Sequence, residues 1–421
     1  GPAGINAAIA AGRRNMKTLL IERYGFLGGM STAALVYPWM TFHTNSGKQV
    51  IRGIAQEIVS RLQESGGSPG HVRDTIGFVY SVTPYHPEKY KVLAIDMLQE
   101  AGVQLLLHSF VDEVSVTANK IESVTVTGKS GRIRLSGEIF IDATGDGDVC
   151  HLAGVPMFKG REEDNKMQPM TMKFRMRGVN TGKIKQYMIE NPSHFYEKSL
   201  IDELKLGKVP LSAVQGFYPQ WEKAKLPINR DQVLFFIGPS EDEVLVNCTR
   251  VQGYDGTNVQ DLSVAEYEGR KQVLMVADFL TRHVPGFEHA SVSNVGTQIG
   301  IRETRRIVGH YVLDKEDVVQ GRKFDDVIAR SGYPIDIHDP TKRGVEFAFV
   351  KGDGAFDIPY RCLIPKGVNN LLASGRCIST THEAFATTRL TPSAMATGQA
   401  AGTAAGIAIE KNVPPEEVEV Q

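Results

Sequence analysis

Cysteine is scarce, with four residues in a chain of 421, and Cys150, Cys248, Cys362 and Cys377 are scattered without a CxxC pair. That spacing argues against a disulfide framework, a zinc site or a ligated iron–sulfur cluster and leaves buried, inert thiols as the reading of each. An excess of charge is also missing, since 47 basic residues face 48 acidic ones, so no overall field draws the chain to nucleic acid or to an anionic membrane. No apolar run reaches the length that spans a bilayer and no signal peptide is visible, which leaves cytoplasm as the default compartment. There is no GxxxxGKS phosphate loop and no GxSxG elbow, and His382-Glu383 is too short for HExxH, which removes three familiar hydrolytic chemistries. The acidic tract 142–148 resembles a calcium loop only until its twelfth position, where Ala153 stands in place of Glu.

The chain is too long for one typical core, and its 42% hydrophobic content with 42 glycines fits a turn-rich globular enzyme of two domains. Its opening, Gly1-Pro2-Ala3-Gly4 running through Ile5–Gly12, reads as the second half of a dinucleotide fingerprint. Gly1 permits close approach of backbone to a pyrophosphate, Pro2 suits the first turn of a helix, and Gly4 and the alanines let that helix lie near a sheet. Glu22 follows Gly1 by 21 positions, near the spacing at which an acid receives ribose hydroxyls. The first strand and first glycine of the fingerprint are expected ahead of Gly1. Behind Glu22 comes a second glycine-rich turn, Tyr24–Ser31, in which Gly28 and Gly29 allow close backbone approach and Ser31 offers a donor to a phosphate oxygen.

Helical periodicity predicts helices over 51–64 and 89–101, the latter closed by Gly102. Strands are expected at 103–107, at 111–116, 121–127 and 131–135 as a tight meander, and at 138–142, ending on the glycine turn 143–148. The middle of the chain carries β-rich stretches at 171–177, 232–237 and 243–248. A helix over 264–283 is read with Tyr267, Val273, Val276 and Leu280 on its core face. Arg302–Arg306 is the most charged stretch there. On a strand, Arg302, Thr304 and Arg306 would face one way and Glu303 and Arg305 the other, lining a cavity or forming a structural ion-pair network. Toward the end, His382 is a loop histidine suited to proton transfer or to hydrogen bonding. Thr391-Pro392-Ser393 opens an alanine-lined helix with Thr391 as its N-cap. No second GxGxxG appears, so a dedicated NAD(P)H domain is not expected.

Taken in order, these segments resemble the FAD-dependent oxidoreductases with a glutathione-reductase type of flavin domain. The likeness is greatest to bacterial members that share Asp-Ala-Thr-Gly-Asp-Gly-Asp, here Asp142–Asp148, and Gly-x-Arg-Glu-Thr-Arg-Arg, here Gly300–Arg306, and that close with segments like Leu372–Ser379, His382-Glu383 and Arg389–Gly406. The resemblance implies an α/β fold: a Rossmann-like FAD-binding domain with a β-meander over 1–155 and 354–421, and a mixed α+β substrate domain over 156–353. It implies FAD contacts from Gly1, Pro2, Ala3, Gly4, Glu22, Arg23, Gly28, Gly29, Met30, Ser31 and Val111. Ala143, Thr144, Gly145, Asp146 and Asp148 join them, as do Gly375 and Arg376 on the pyrophosphate side and Pro392, Ser393, Ala394 and Met395 at the helix that points to the flavin ring. His382 or Glu303 would handle a proton, and Arg302 or Arg389 would stabilise charge, Arg389 on an anionic substrate group or on reduced flavin. The Gly28-Gly29 turn lacks the cysteine pair of dithiol–disulfide flavoenzymes, which disfavours thiol exchange. What is left is hydride transfer between a small-molecule substrate and flavin N5, with an electron donor or acceptor that no motif identifies. A flavin monooxygenase, an electron-relay subunit and a scaffold that lost its cofactor are the alternatives, and an oligomer is compatible with all of them.

Overall fold

The computed structural model describes residues 1–420. Helix α1 (Pro2–Arg13) starts the chain and is buried almost all round, from Ala3 to Gly12, as residues with so little side chain allow. Strand β1 (Leu19–Ile21) follows, then helices α2 (Gly53–Glu64) and α3 (Pro87–Glu100) and strand β2 (Gln104–Leu106), which runs parallel to β1 with Leu19 beside Gln104. Three antiparallel strands form the expected meander: β3 (Phe110–Thr117), β4 (Lys120–Gly128) and β5 (Gly131–Ser136). The chain then enters β6 (Phe140–Asp142) and turns into a short helix, Asp148–Leu152, that the glycine content of the turn conceals.

The middle of the chain builds one five-stranded antiparallel sheet from β7 (Phe174–Arg177), β8 (Ala213–Gly216), β9 (Val233–Ile237), β10 (Glu243–Val246) and β11 (Ser291–Val295), in the order β8-β9-β10-β7-β11. Helix α4 (Val259–His283) lies between the last two in sequence. It starts five residues earlier than its periodicity predicts because the Asn258 side chain accepts from the Gln260 and Asp261 amides and fixes the start. Val273, Val276 and Leu280 are buried as expected, but Tyr267 is 61% exposed. Its ring carries the Lys271 ammonium instead of core neighbours.

Strand β12 (Arg305–Ile307) pairs with Met157–Lys159. Regular strand therefore begins only at Arg305, and the alternation expected over 302–306 fails: Glu303 and Arg306 pair with each other, three residues apart. Strand β13 (Ile335–His338) follows, then β14 (Leu371–Ala373), which runs parallel to β6. The chain closes with α5 (His382–Thr388) and α6 (Thr391–Lys411). His382 is thus helical, not a loop residue, and Leu390 takes the N-cap position expected of Thr391, with no side-chain cap.

Helix α6 lies directly on α1. A Cβ at Gly398 would stand 2.2 Å from the Ala3 carbonyl oxygen, and one at Gly402 would stand 2.0 Å from that of Ala7, so backbone meets backbone there. Gln399, between them, accepts from the Ile54 amide and caps α2 from outside. One core fills the space among α1, α2 and α3 around stacked Trp39 and Tyr85. A separate one lies under the five-stranded sheet around Phe174, Phe235 and Leu280. All four cysteines are buried and free, and burial pushes each thiol up, so they stay protonated. No helix among the described residues is long and apolar enough to cross a membrane.

Candidate functional site

A cavity of about 470 Å³ runs from the start of α1 to the five-stranded sheet, within the size range of cofactor and substrate sites. On the α1 side its wall is mostly backbone and small residues. Gly1 to Gly4 present the first turn of α1, which has no side-chain cap, so its N–H groups are open to an acceptor. Gly29, at φ +50°, comes so close that a Cβ there would lie 2.7 Å from Gly1 Cα, and this packs the second glycine turn against the helix start. Glu22 is buried, with its Oε1 accepting from the Tyr24 amide and its Oε2 3.2 Å from the Gly1 nitrogen. Below α1 the cavity is bordered by Leu19–Ile21 and Ile139–Ile141, where β1 and β6 each hydrogen-bond on one side only. That part of the volume is apolar.

The turn after β6 is organised by Asp142. This buried carboxylate accepts from the Thr144 amide and hydroxyl through Oδ1 and from the Cys150 amide through Oδ2. Ala143, Thr144 and Gly145, held by this carboxylate, line the cavity. Arg376 donates to the Gly145 and Ile301 carbonyls and pairs with Asp146, and Gly375 brings the same segment against Ala3 and Ala394.

On the sheet side the wall changes to long polar and aromatic side chains: Tyr37, Thr171, Lys173, Phe236, Asn247, Arg302, Tyr333, Asp336, His338 and Arg389. Arg302 donates through Nη1 to the Pro169 carbonyl (2.6 Å) and the Thr171 hydroxyl (2.5 Å). Burial and the Arg389 charge push it down to about 9. Burial, then the like charges of Arg302 and Arg389, push the Lys173 ammonium down to about 7. His338 is pushed down to about 3 by burial and by Arg302 and is neutral at ordinary pH. Burial would raise the Asp336 carboxyl, but the neighbouring His338 imidazole and the Arg389 charge, each 3.6 Å away, hold it well below the usual range.

The model of the family described as "FAD dependent oxidoreductase" matches residues 1–421. The chain belongs to this family. Its members' cofactor, FAD, is this protein's cofactor, and the protein is an FAD-dependent oxidoreductase. No curated protein sequence matches the chain. Among solved structures, the flavin-dependent brominase Bmp2 aligns with a TM-score of 0.50 at 12% identity, over 100% of this chain and 79% of that one. The p-nitrophenol 4-monooxygenase PnpA from Pseudomonas putida DLL-E4 aligns at 0.49 and 9%, over 98% and 78%. A geranylgeranyl bacteriochlorophyll reductase-like protein from Thermoplasma acidophilum aligns at 0.47 and 12%, over 98% and 77%. At such identities the brominase shows a shared fold and nothing about substrate.

The cavity of this FAD-dependent oxidoreductase fits its cofactor. Two helix starts without a side-chain cap, those of α1 and α6, open onto it through Gly1–Gly4 and through Leu390, Thr391 and Ala394. Of the residues singled out in the sequence, Gly1, Pro2, Ala3, Gly4, Glu22, Arg23, Gly29, Met30, Ser31, Val111, Ala143, Thr144, Gly145, Asp148, Arg302, Gly375, Arg376, Arg389 and Ala394 line it. Gly28, Asp146, Pro392, Ser393 and Met395 do not, and for all but Pro392 the local reason is plain. Gly28 packs on the Thr32 side chain, Asp146 is taken by Thr304 and Arg376, Ser393 faces Ser331, and Met395 is buried in the core of α1.

His382 and Glu303 also stand off the cavity wall. They form a buried group with Arg306, in which His382 Nδ1 lies 2.9 Å from Glu303 Oε1 and Arg306 pairs with the same carboxylate. Burial would raise the Glu303 carboxyl, but the His382 hydrogen bond and the Arg306 charge hold it lowered. Since an ionised carboxylate only accepts, Nδ1 carries the proton in this pair. The geometry therefore supplies an ion-paired brace where proton handling at the reacting centre was expected.

Sequence reasoning missed Lys173, Asp336 and His338. One of them left a signal: Asp336 sits between Ile335 and Ile337. A charge inside a strand that is otherwise apolar must face a partner or a cavity.

Proposed function

We propose that the protein transfers a hydride between a small organic substrate and flavin N5, within a flavin unit of the glutathione-reductase type over 1–155 and 354–421 and a substrate unit over 156–353. The observation that carries this reading is the unbroken cavity from the glycine start of α1 to the sheet side, which gives a nucleotide and a second molecule adjoining places. The parallel pairs β1–β2 and β6–β14, with the meander set between β2 and β6, support the flavin-unit assignment.

FAD, when bound, supplies a two-electron centre that accepts or returns a hydride. In this reading the α1 amides and the backbone of Ala143–Gly145 hold its phosphates, Glu22 receives ribose hydroxyls, and Arg376 adds positive charge on the pyrophosphate side. The start of α6 places partial positive charge beside the ring. Tyr37 and Phe236 exclude water from the sheet side, where Arg302 and Arg389 stabilise developing negative charge. The test is anaerobic mixing of the yellow holoenzyme with candidate organic substrates, with NADPH in a parallel series. Bleaching by an organic substrate alone is expected. Bleaching by NADPH that needs the organic compound as an effector would replace hydride transfer with monooxygenation.

A further inference from the structure

We infer that the substrate is a small organic acid whose carboxylate is held by Lys173, Arg302 and Arg389 on the sheet side of the cavity. The inference rests on the proposed function for the presence of a substrate there, and it adds that substrate's chemical class.

Three cations share this wall and face one carboxylate, Asp336. That carboxylate is engaged only in part: Tyr333 donates to its Oδ2 at 3.0 Å, its Oδ1 has no hydrogen-bond partner, and His338 Nε2 and Arg389 Nη2 each stand 3.6 Å away. Among the described residues Lys173 has no ion-pair or hydrogen-bond partner for its ammonium, and the charges that bear on it are the like charges of Arg302 and Arg389. Arg302 uses only Nη1 on protein acceptors, and Arg389 leaves a buried Nε with no partner. Charged donors left over in a half-buried wall are costly unless an acceptor arrives. Around them stand Tyr37, Met40 and Phe236, a surface for an apolar body.

A carboxylate matches these donors better than a phosphate does. The guanidinium fork is complementary to a flat two-oxygen acceptor, whereas the backbone-amide turns with which proteins cradle phosphate lie on the α1 side of the same cavity. The leftover charge exceeds what Asp336 neutralises, so a neutral substrate would leave the wall uncompensated.

The test is calorimetric titration of the enzyme as purified with benzoate, succinate and inorganic phosphate, together with Lys173→Met and Lys173→Arg. At least one carboxylate is expected to bind, more tightly than phosphate. Lys173→Met should weaken it about tenfold or more, the loss of a charge-assisted hydrogen bond, and Lys173→Arg should keep most of the affinity. The flavin-to-protein ratio and melting temperature of both variants should match the parent, which separates loss of the anion site from loss of fold or cofactor. A yellow enzyme that binds neither carboxylate, or binds phosphate more tightly, or binds carboxylates equally well after Lys173→Met, overturns the inference and leaves the flavin reading standing. A colourless protein that still binds carboxylates through Lys173 upholds it and removes the proposed function.

Discussion

The two sides of the cavity are built from opposite materials. On the α1 side, glycine and alanine strip away side chains so that the cavity meets mostly backbone and helices meet at backbone distance, as at Gly402 and Ala7. On the sheet side, Lys173, Arg302, Arg389, Asp336 and His338 present long titratable groups whose pairing is incomplete. The difference teaches what each side tolerates. A backbone site is insensitive to pH but intolerant of added atoms, while a side-chain site accepts changes of volume but answers to every change of charge.

The largest expected effect comes from adding one methyl group to the backbone side. Gly402→Ala gains about 1 kcal/mol of helix propensity, yet its Cβ would lie 2.0 Å from the Ala7 carbonyl oxygen, which is backbone and cannot swing away. Separation of α1 from α6 should outweigh the gain and cost about 3 kcal/mol or more net, at the upper end for overpacking. Chemical denaturation would read the loss, and flavin content should fall with it. Unchanged stability would mean that the two helices have slack the contact distance denies.

Next in size is Glu22→Gln, which keeps the shape and removes the charge of a buried acceptor. Hydrogen bonds to a charged group contribute about 1.5–3 kcal/mol, so FAD affinity should drop about ten- to a hundredfold when followed by quenching of flavin fluorescence. Carboxylate binding on the sheet side should be unaffected, and a parallel loss there would dissolve the distinction between the two sides.

The sheet side should instead respond to pH. Lys173, pushed down to about 7, carries its charge below that pH and loses it above. Carboxylate affinity is therefore highest below pH 7 and falls about tenfold as pH rises through it, the equivalent of about one exposed-to-half-buried charge interaction. The charges that bear on Lys173 are Arg302, pushed down no further than about 9, and the Arg389 guanidinium, while elsewhere on the same wall His338 is neutral across this window, Asp336 stays ionised and burial holds the Tyr333 phenol protonated. The profile in Lys173→Met should be flat from pH 6 to pH 8, to within about a factor of two. FAD affinity should be flat in the same range for both proteins.

The contrast also explains what the sequence disclosed. The α1 side was legible because backbone binding leaves a compositional trace: Gly1, Gly4, Gly29 and Gly145 are spaced by local geometry and lie in short continuous segments. The meander was legible too, its strands being joined by tight turns. The sheet side was legible only in part, since Arg302 and Arg389 stand out in the sequence and Lys173, Asp336 and His338 do not. Lys173, Arg302, Asp336 and Arg389 come from four distant segments, and only the crossing of those segments gives them a common wall. The expected alternation at 302–306 failed for a related reason, because Arg306 reaches back to Glu303 before regular strand begins at Arg305. The uncapped start of α6 escaped notice because Thr391 has the right residue type for a cap and stands one position too late.

The smallest effect is expected where sequence and geometry disagree most, at His382. A histidine beside a glutamate before an alanine-lined helix reads as a proton carrier, but this one is 7% exposed, stands off the cavity wall and donates to a carboxylate that Arg306 also holds. His382→Asn keeps an N–H near the position of Nδ1 and so should cost about 1 kcal/mol, the net worth of one hydrogen bond, leaving FAD and carboxylate affinities unaltered. Truncating Glu303 instead would leave Arg306 buried and unpaired, a change worth about 3–5 kcal/mol, so the brace depends on the carboxylate far more than on the imidazole. The decisive measurement is the pH profile of kcat in His382→Asn. Its shape should match the parent, because a group that holds its proton on the Glu303 side has none to exchange at the reacting atoms. Loss of a limb near neutral pH would return His382 to the reaction and require α5 to move so that the imidazole reaches the cavity.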